Sequence, residues 1–143
     1  MQRTHRVVLI EKNTHFQHLF AFPRFSVVPG FEHKAFIPYT KMFTGVSPDA
    51  AAVVQACAIE IHADRVVLDR GNPIPYEYLV IATGTKLPPP GSLPTSNKVE
   101  GIKFLREHQK QVEKAQRIVI IGGGAVGVRE YFDSEKQCFS VYC

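Results

Sequence analysis

The sequence predicts an α/β fold that contains parallel β-strands, and three observations support this prediction. Two short runs, at residues 6–12 and 118–121, centre on Val, Leu and Ile. Such runs are typical of strands buried on both faces of a parallel sheet. A glycine-rich turn at residues 122–127 follows the second run directly. Residues 99–116 carry apolar positions at 102, 105 and 112 among charged and amide residues, which predicts a helix with one apolar stripe.

Length and composition indicate a globular chain. The 143 residues are 45% hydrophobic and 21% charged, which is ordinary for a soluble domain. The formal net charge of +4 is spread along the chain, and this argues against a nucleic-acid-binding face. No apolar run approaches the roughly 18 residues that a membrane span requires, so none is predicted.

The region between the two apolar runs predicts a loop, a small antiparallel meander and a linker. Residues 13–45 are rich in aromatics but show no sustained period, so we expect a loop that packs on a cofactor or a second domain. Residues 53–61 and 65–69 predict a hairpin-like pair of strands, and residues 78–82 a third, buried strand. Residues 86–97 form a Pro-rich linker.

Gly122, Gly124 and Gly127 form a G-x-G-x-x-G pattern between a predicted strand and a predicted helix start. The first glycine permits a tight turn, the second lets the backbone approach a pyrophosphate, and the third permits close packing of helix on strand. Amides at the helix N-terminus then face the phosphates. The pattern favours binding of a dinucleotide over a purely structural glycine turn.

Glu11 ends the first apolar run, where dinucleotide-binding folds place the carboxylate that binds ribose hydroxyls. An ordinary strand-end acid that faces water explains the residue equally well. A strand, glycine turn and helix would precede such a carboxylate, and the sequence does not contain them before Glu11. The matching acid for the second glycine turn is expected about 20 residues further on, beyond Cys143.

Residues 78–85 read Y-L-V-I-A-T-G-T, a predicted strand that ends in Ala-Thr-Gly. The segment resembles the A-T-G signature of flavoproteins with two dinucleotide-binding domains, where the next loop passes beside the flavin nucleotide. The acid at residue 11, the A-T-G at 82–84 and the glycine motif from residue 122 stand in the order of that superfamily. Segments 15–24 and 30–39 are similar to its apoptosis-inducing-factor-like branch, which includes the ferroptosis suppressor quinone reductases. The resemblance covers residues 6–127.

This resemblance implies a partial, Rossmann-like two-dinucleotide-binding-domain flavoprotein fold. Residues 1–97 would form an incomplete FAD-binding domain with its Pro-rich linker, and residues 98–143 would begin an NAD(P)-binding domain. The cofactor-binding residues expected for FAD and NAD(P)H are Glu11, Arg24, Ala56, Thr83, Gly84, Gly122, Gly124 and Gly127. The contacts of Arg24 and of the Ala56 backbone with FAD are implied by the resemblance alone. No catalytic residue and no metal ligand are predicted.

The resemblance further implies electron transfer from NAD(P)H through FAD to a quinone or a similar acceptor. It implies a cytoplasmic protein, with peripheral membrane association or a mitochondrial location as alternatives. The chain departs from the family in two places. The first FAD glycine motif is missing, and the residues from about 128 onward lack the apolar period of a helix; Arg129 stands where the family has an acid.

Two consequences follow from these departures. We expect the chain as written to be inactive, and we expect no second strand after the glycine turn. The alternative function is that of a non-catalytic short form that binds a nucleotide or a protein. Cys138 and Cys143 are five positions apart near the C-terminus, and we interpret them as incidental rather than as a redox pair.

Overall fold

A computed structural model describes residues 5–133 and 139–142. It confirms an α/β chain of short strands and helices. In chain order the elements are β1 (Val7–Glu11), β2 (His15–Gln17), α1 (Phe22–Phe25), β3 (Phe36–Pro38), β4 (Ala51–Gln55), β5 (Ala58–Ile61), β6 (Arg65–Leu68), β7 (Ile74–Pro75), α2 (Lys98–Lys114), β8 (Ile118–Ile121), α3 (Ala125–Asp133) and β9 (Phe139–Tyr142).

The chain divides into two compact units. The first comprises residues 1–16 and 38–85, and the second comprises residues 17–37 and 86–143, as far as these are described. β2 and β3 pair with each other in a two-stranded sheet. The predicted division at residue 97 into an FAD-binding and an NAD(P)-binding domain stays a prediction.

The first unit combines a parallel strand pair with an antiparallel meander. β1 pairs in parallel with β4, from Val7 opposite Ala51 to Glu11 opposite Gln55. β5, β6 and β7 form a three-stranded antiparallel sheet. A small core of Ala56, Val66 and Leu68 joins the two sheets and receives Ile10 and Val54 at its edge. The predicted meander is therefore confirmed, although its strands differ from those expected.

The predicted continuous strand at residues 53–61 is wrong, because the chain changes sheets within it. Residues 51–55 pair with β1, whereas residues 58–61 pair with β6. Ala56 and Cys57 separate the two strands: the Ala56 amide donates to the Glu11 carbonyl, and the Cys57 amide donates to the Asp69 carboxylate. No glycine or proline stands between the two halves of this segment, so the sequence contains no turn signal where the chain changes sheets.

The predicted buried strand at residues 78–82 is also wrong. This segment has no regular secondary structure, and Tyr78, Val80 and Ile81 are 78%, 86% and 65% exposed. A strand exists only where a neighbouring strand accepts its hydrogen bonds. Among residues 5–133 and 139–142, none pairs with this segment, so its Val and Ile propensity is not realised.

The second unit is organised by α2. Asn97 caps this helix, because its side chain accepts hydrogen bonds from the amides of Val99 and Glu100. Leu105 is fully buried on the helix and packs with Phe22, Ala35 and Phe36. Much of the aromatic-rich region thus packs on this helix, and the predicted apolar stripe is confirmed for Leu105.

Polar side chains of α2 also hold the backbone of the loop that follows α1. His108 Nδ1 lies 3.1 Å from the carbonyl oxygen of Ser26. Gln109 Nε2 donates to the carbonyl oxygens of Phe25 and Val28, at 2.7 and 3.2 Å. These bonds satisfy partly buried carbonyl groups and so hold in place a segment that has neither a helical nor a strand period.

After α2 the chain forms a β-α-β unit. β8 leads through the glycine turn into α3, and β9 returns parallel to β8, with Ile118 opposite Phe139. The expectation of no second strand after the glycine turn is therefore wrong. The sequence beyond residue 128 has no clear helical or strand period, so it did not predict β9. The strand forms because its backbone pairs with β8. Cys138 and Cys143 lie outside the described residues.

Candidate functional site

The glycine turn between β8 and α3 has the geometry that close helix–strand packing requires. Gly122 has a φ of 107°, a conformation that side chains disfavour. A Cβ atom added at Gly127 would lie 2.2 Å from the Gly122 carbonyl oxygen and 3.1 Å from Ile120 Cγ2. Gly127 therefore has to be glycine for α3 to start this close to β8.

The packing of the turn does not require a glycine at position 124. A Cβ added there would meet no atom within 4 Å, so the space beside the turn is open. α3 begins at the next residue, Ala125, and the amides of its first turn have no acceptor within the helix. Open space in front of free amides at the positive end of a helix dipole suits a phosphate group. The turn thus fits a dinucleotide pyrophosphate.

A cavity of about 510 Å³ lies beside the turn and contains a carboxyl group that the sequence did not reveal. Its walls come from β8, the turn, α2 and α3, including His108 and Glu130. Burial raises the pKa of Glu130, and the charge of His108 opposes this shift only in part. Oε1 of Glu130 is buried and has no hydrogen-bond partner within the described residues.

Glu11 lies at the end of β1 and is oriented by its neighbours. Oε1 accepts hydrogen bonds from the amide and from the side chain of Asn13, each at 2.9 Å. Oε2 accepts one from the Tyr39 hydroxyl at 3.0 Å. Because a carboxylate offers about four acceptor positions, these three bonds leave room for one further donor, such as a ribose hydroxyl.

The other sites predicted in the first unit differ in exposure. Ala56 is buried, and its amide is bonded to the Glu11 carbonyl at 3.1 Å, so these two residues lie together. Thr83 and Gly84 lie in the exposed segment that follows residue 82, where Gly84 has a φ of 69°. The structure therefore joins Glu11 with Ala56 and leaves the A-T-G residues in an irregular, accessible loop.

Arg24 belongs to the second unit and lies in an ion-pair cluster. Its Nε atom is 4.0 Å from Oδ2 of Asp133, and Nε of Arg129 is 3.7 Å from the same oxygen. Arg24 and Arg129 both line a cavity of about 450 Å³ with aromatic walls. Sequence reasoning missed Arg129 and Asp133, because they belong to a segment that did not read as a helix.

The described residues contain neither a candidate membrane-spanning helix nor a candidate metal site. No helix in the described part of the chain is both long and apolar enough to cross a membrane. No group of three or more His, Cys, Asp or Glu side chains within residues 5–133 and 139–142 is arranged to hold a metal ion.

Comparison with known proteins gives a consistent result. Residues 2–131 match the family model described as pyridine nucleotide-disulphide oxidoreductase. Fe-regulated protein 8 of Mycosarcoma maydis is 38% identical, over 87% of this chain and 36% of the relative. Ferroptosis suppressor protein 1 of Taeniopygia guttata is 35% identical, over 85% of this chain and 32% of the relative. The FAD-dependent oxidoreductase FVFD30 of Flammulina velutipes is 36% identical, over 68% of this chain and 30% of the relative. The chain spans about a third of the length of these relatives.

Proposed function

Because the chain belongs to the pyridine nucleotide-disulphide oxidoreductase family, we propose that it is part of an FAD-dependent NAD(P)H oxidoreductase that passes electrons to a quinone or a similar acceptor. The glycine turn carries this proposal: an obligatory glycine at 127, open space at Gly124 and the start of α3 form a place for a pyrophosphate. The FAD-dependent relative FVFD30 supports flavin as the second cofactor.

On the nicotinamide side, the chain's role is to bind and orient. Gly122 and Gly127 hold α3 against β8, so that the amides at the helix start face the pyrophosphate. When bound, the nicotinamide and the flavin supply the hydride and electron transfer, and the protein positions them. No side chain is assigned a catalytic role.

On the flavin side, we assign Glu11 to a ribose hydroxyl. Asn13 and Tyr39 fix the orientation of its carboxylate and leave one acceptor position. The Ala56 backbone, Thr83 and Gly84 would line the same cofactor, and Arg24 would bind one of its anionic groups. In this proposal residues 1–97 belong to the FAD-binding domain and residues 98–143 to the NAD(P)-binding domain.

We further propose that these 143 residues alone are inactive. Two dinucleotides have to bind, but the sequence contains one G-x-G-x-x-G pattern. Each missing hydrogen bond to a charged phosphate is worth roughly 1.5–3 kcal/mol, and about 1.4 kcal/mol changes affinity tenfold. Flavin should therefore bind weakly to the isolated chain. The proposed location is cytoplasmic, with peripheral membrane association or mitochondria as alternatives.

The alternative function is a non-catalytic protein- or nucleotide-binding short form. The exposed side chains of Tyr78, Val80 and Ile81 favour it, because apolar patches often mark interaction surfaces. Light scattering of the purified chain tests self-association through this segment. A monomer whose mass is unchanged by Val80→Lys would count against this alternative.

A chimera tests the proposed enzymatic role. Residues of this chain would replace the aligned segment, which covers 85% of this chain, in ferroptosis suppressor protein 1 of Taeniopygia guttata, with the unmodified relative as the reference. We expect the chimera to retain bound flavin and NAD(P)H oxidation, and Gly127→Ala in the chimera to lose NAD(P)H binding. A flavin-free chimera that is folded would refute the FAD assignment. Stoichiometric FAD and turnover in the isolated 143-residue chain would refute the proposed inactivity.

A further inference from the structure

The cavity that contains Arg24 combines aromatic walls with a cluster of positive charge. We call it the basic-aromatic cavity. It has a volume of about 450 Å³ and lies within the second unit. Three phenylalanines and three cationic side chains are among its lining residues: Phe20, Phe25, Phe31, Arg24, Lys34 and Arg129.

The aromatic walls suit a flat ligand. The rings of Phe25 and Phe31 have centroids 6.5 Å apart and an interplanar angle of 24°. Lys34 Nζ lies 4.8 Å from the centroid of Phe31, in a cation–π contact that keeps its charge beside the ring. A planar aromatic group can therefore stack on the walls while an attached anion meets the cations.

The charges of the cavity are only partly balanced. Oδ2 of Asp133 lies 4.0 Å from Nε of Arg24 and 3.7 Å from Nε of Arg129, so one carboxylate serves two guanidinium groups. Asp133 does not line the cavity. Arg24 and Arg129 are about half exposed, at 48% and 49% of their side chains. Together with Lys34, the cluster has an excess of positive charge.

We propose that Arg129 is a second anion-binding arginine beside Arg24, and that Asp133 is the internal counter-ion that limits how tightly the cavity binds a flavin nucleotide through its phosphate. This inference rests on the proposed function, which assigns Arg24 to an anionic group of the flavin cofactor.

The geometry of Asp133 indicates that its carboxylate weakens phosphate binding rather than supports it. Its Oδ2 atom is buried and makes no hydrogen bond within the described residues. At 3.7 and 4.0 Å from the two Nε atoms, it is too distant to fix either guanidinium by a hydrogen bond. Its main effect is therefore to lower the positive potential that a phosphate would experience. A phosphate can instead form paired hydrogen bonds with an arginine fork.

Titration of the purified 143-residue chain with FMN and with riboflavin tests this inference, because the two flavins differ by one phosphate. Quenching of flavin fluorescence reports binding. Arg129→Gln should weaken FMN binding about tenfold, and Asp133→Asn should tighten it about three- to tenfold. Neither variant should change riboflavin binding. The matched controls are Lys103→Gln and Glu107→Gln, which remove the same charges from exposed positions of α2 outside the cavity.

Three results would overturn the roles proposed for Arg129 and Asp133. Weaker FMN binding by Asp133→Asn would show that this carboxylate orients the arginines, and would overturn its role as a competing counter-ion. Equal effects on FMN and riboflavin, or equal effects of the control variants, would overturn the phosphate site. If neither the wild type nor the Asp133→Asn variant binds FMN, the inference is overturned. The proposed function is tested separately, by whether the chimera contains bound flavin.

Discussion

The hydroxyl of Tyr39 donates a hydrogen bond to Oε2 of Glu11, with 3.0 Å between the two oxygens. Tyr39 follows β3 and Glu11 ends β1, so the bond ties together segments 28 residues apart. Burial raises the pKa of the Tyr39 phenol, and the hydrogen bond and negative charge of Glu11 raise it further. The pair therefore holds the candidate ribose-binding carboxylate in place and keeps the phenol protonated.

Loss of the Tyr39 hydroxyl should destabilise the first unit. Tyr39→Phe removes a hydrogen bond to a charged group and should lower the free energy of unfolding by about 1–2 kcal/mol in urea denaturation. Tyr78→Phe is the matched control, since Tyr78 is 78% exposed, and it should have no measurable effect. Equal losses in both variants would show that the bond to Glu11 does not stabilise the fold.

The raised pKa of Tyr39 predicts how the stability of the fold depends on pH. The folded protein holds the phenolic proton more tightly than the unfolded chain, so this stabilisation is complete below the ordinary tyrosine pKa of about 10. It is lost as the pH rises above that value. Glu11→Gln should lower the pKa of Tyr39. Alkaline titration followed by ultraviolet absorbance measures this. Subtracting the curve of the Tyr39→Phe variant from that of the wild type, and the curve of the double variant from that of Glu11→Gln, isolates the Tyr39 phenol.

The second and third glycines of the motif, Gly124 and Gly127, should respond differently to alanine. Gly127→Ala places a methyl group 2.2 Å from the Gly122 carbonyl oxygen and should destabilise the chain by about 1–3 kcal/mol. Gly124→Ala meets no atom within 4 Å and should leave unfolding nearly unchanged. In the chimera, however, Gly124→Ala should weaken NAD(P)H binding, because its methyl group enters the space for the pyrophosphate. Equal unfolding curves for both variants would contradict this geometry.

Local features of the sequence were sufficient to predict some elements and not others. α2 was predictable because its apolar stripe, with Leu105 at the centre, lies on one helix face. The glycine turn was predictable because Gly122 and Gly127 meet local steric demands. The parallel pairing of β1 with β4 and the return of β9 to β8 depend on partners distant in the chain, which periodicity does not report. The Arg129–Asp133 pair was not foreseen because the residues from about 128 onward lack the apolar period of a helix, and its position beside Arg24 brings together residues that are distant in the chain.

The core of the second unit should depend strongly on α2. Leu105→Ala removes a fully buried side chain that packs with Phe22 and Phe36, and should cost about 2–5 kcal/mol in urea unfolding. Val99→Ala, on the same helix, changes a side chain that is 75% exposed and should shift stability by less than about 0.5 kcal/mol. A small effect of Leu105→Ala would mean that α2 is not packed on this core.

Replacing glutamate by glutamine should have opposite effects on the free energy of unfolding at Glu130 and at Glu32. Burial raises the pKa of Glu130, so the folded state favours its protonated form, and the contribution of this group falls as the pH rises above the ordinary glutamate value of about 4.5. Burial also acts to raise the pKa of Glu32. There, however, hydrogen bonds from Gln109 and from the amides of Glu32 and Gly30, with the charge of Arg106, outweigh burial and lower it.

The contribution of Glu32 to stability is therefore present at neutral pH and is lost on acidification through its lowered pKa. Glu130→Gln should raise the free energy of unfolding at pH 7 and flatten its decline above the glutamate pKa, because the variant no longer buries a charge beside His108. Glu32→Gln should lower the free energy of unfolding at pH 7, since the ionised carboxylate receives the Gly30 amide and faces Arg106 at 3.8 Å. Urea unfolding of both variants and the wild type across the acidic and neutral range measures this. A shift of the same sign in both variants would show that burial alone, rather than the partners of each carboxylate, sets their contributions.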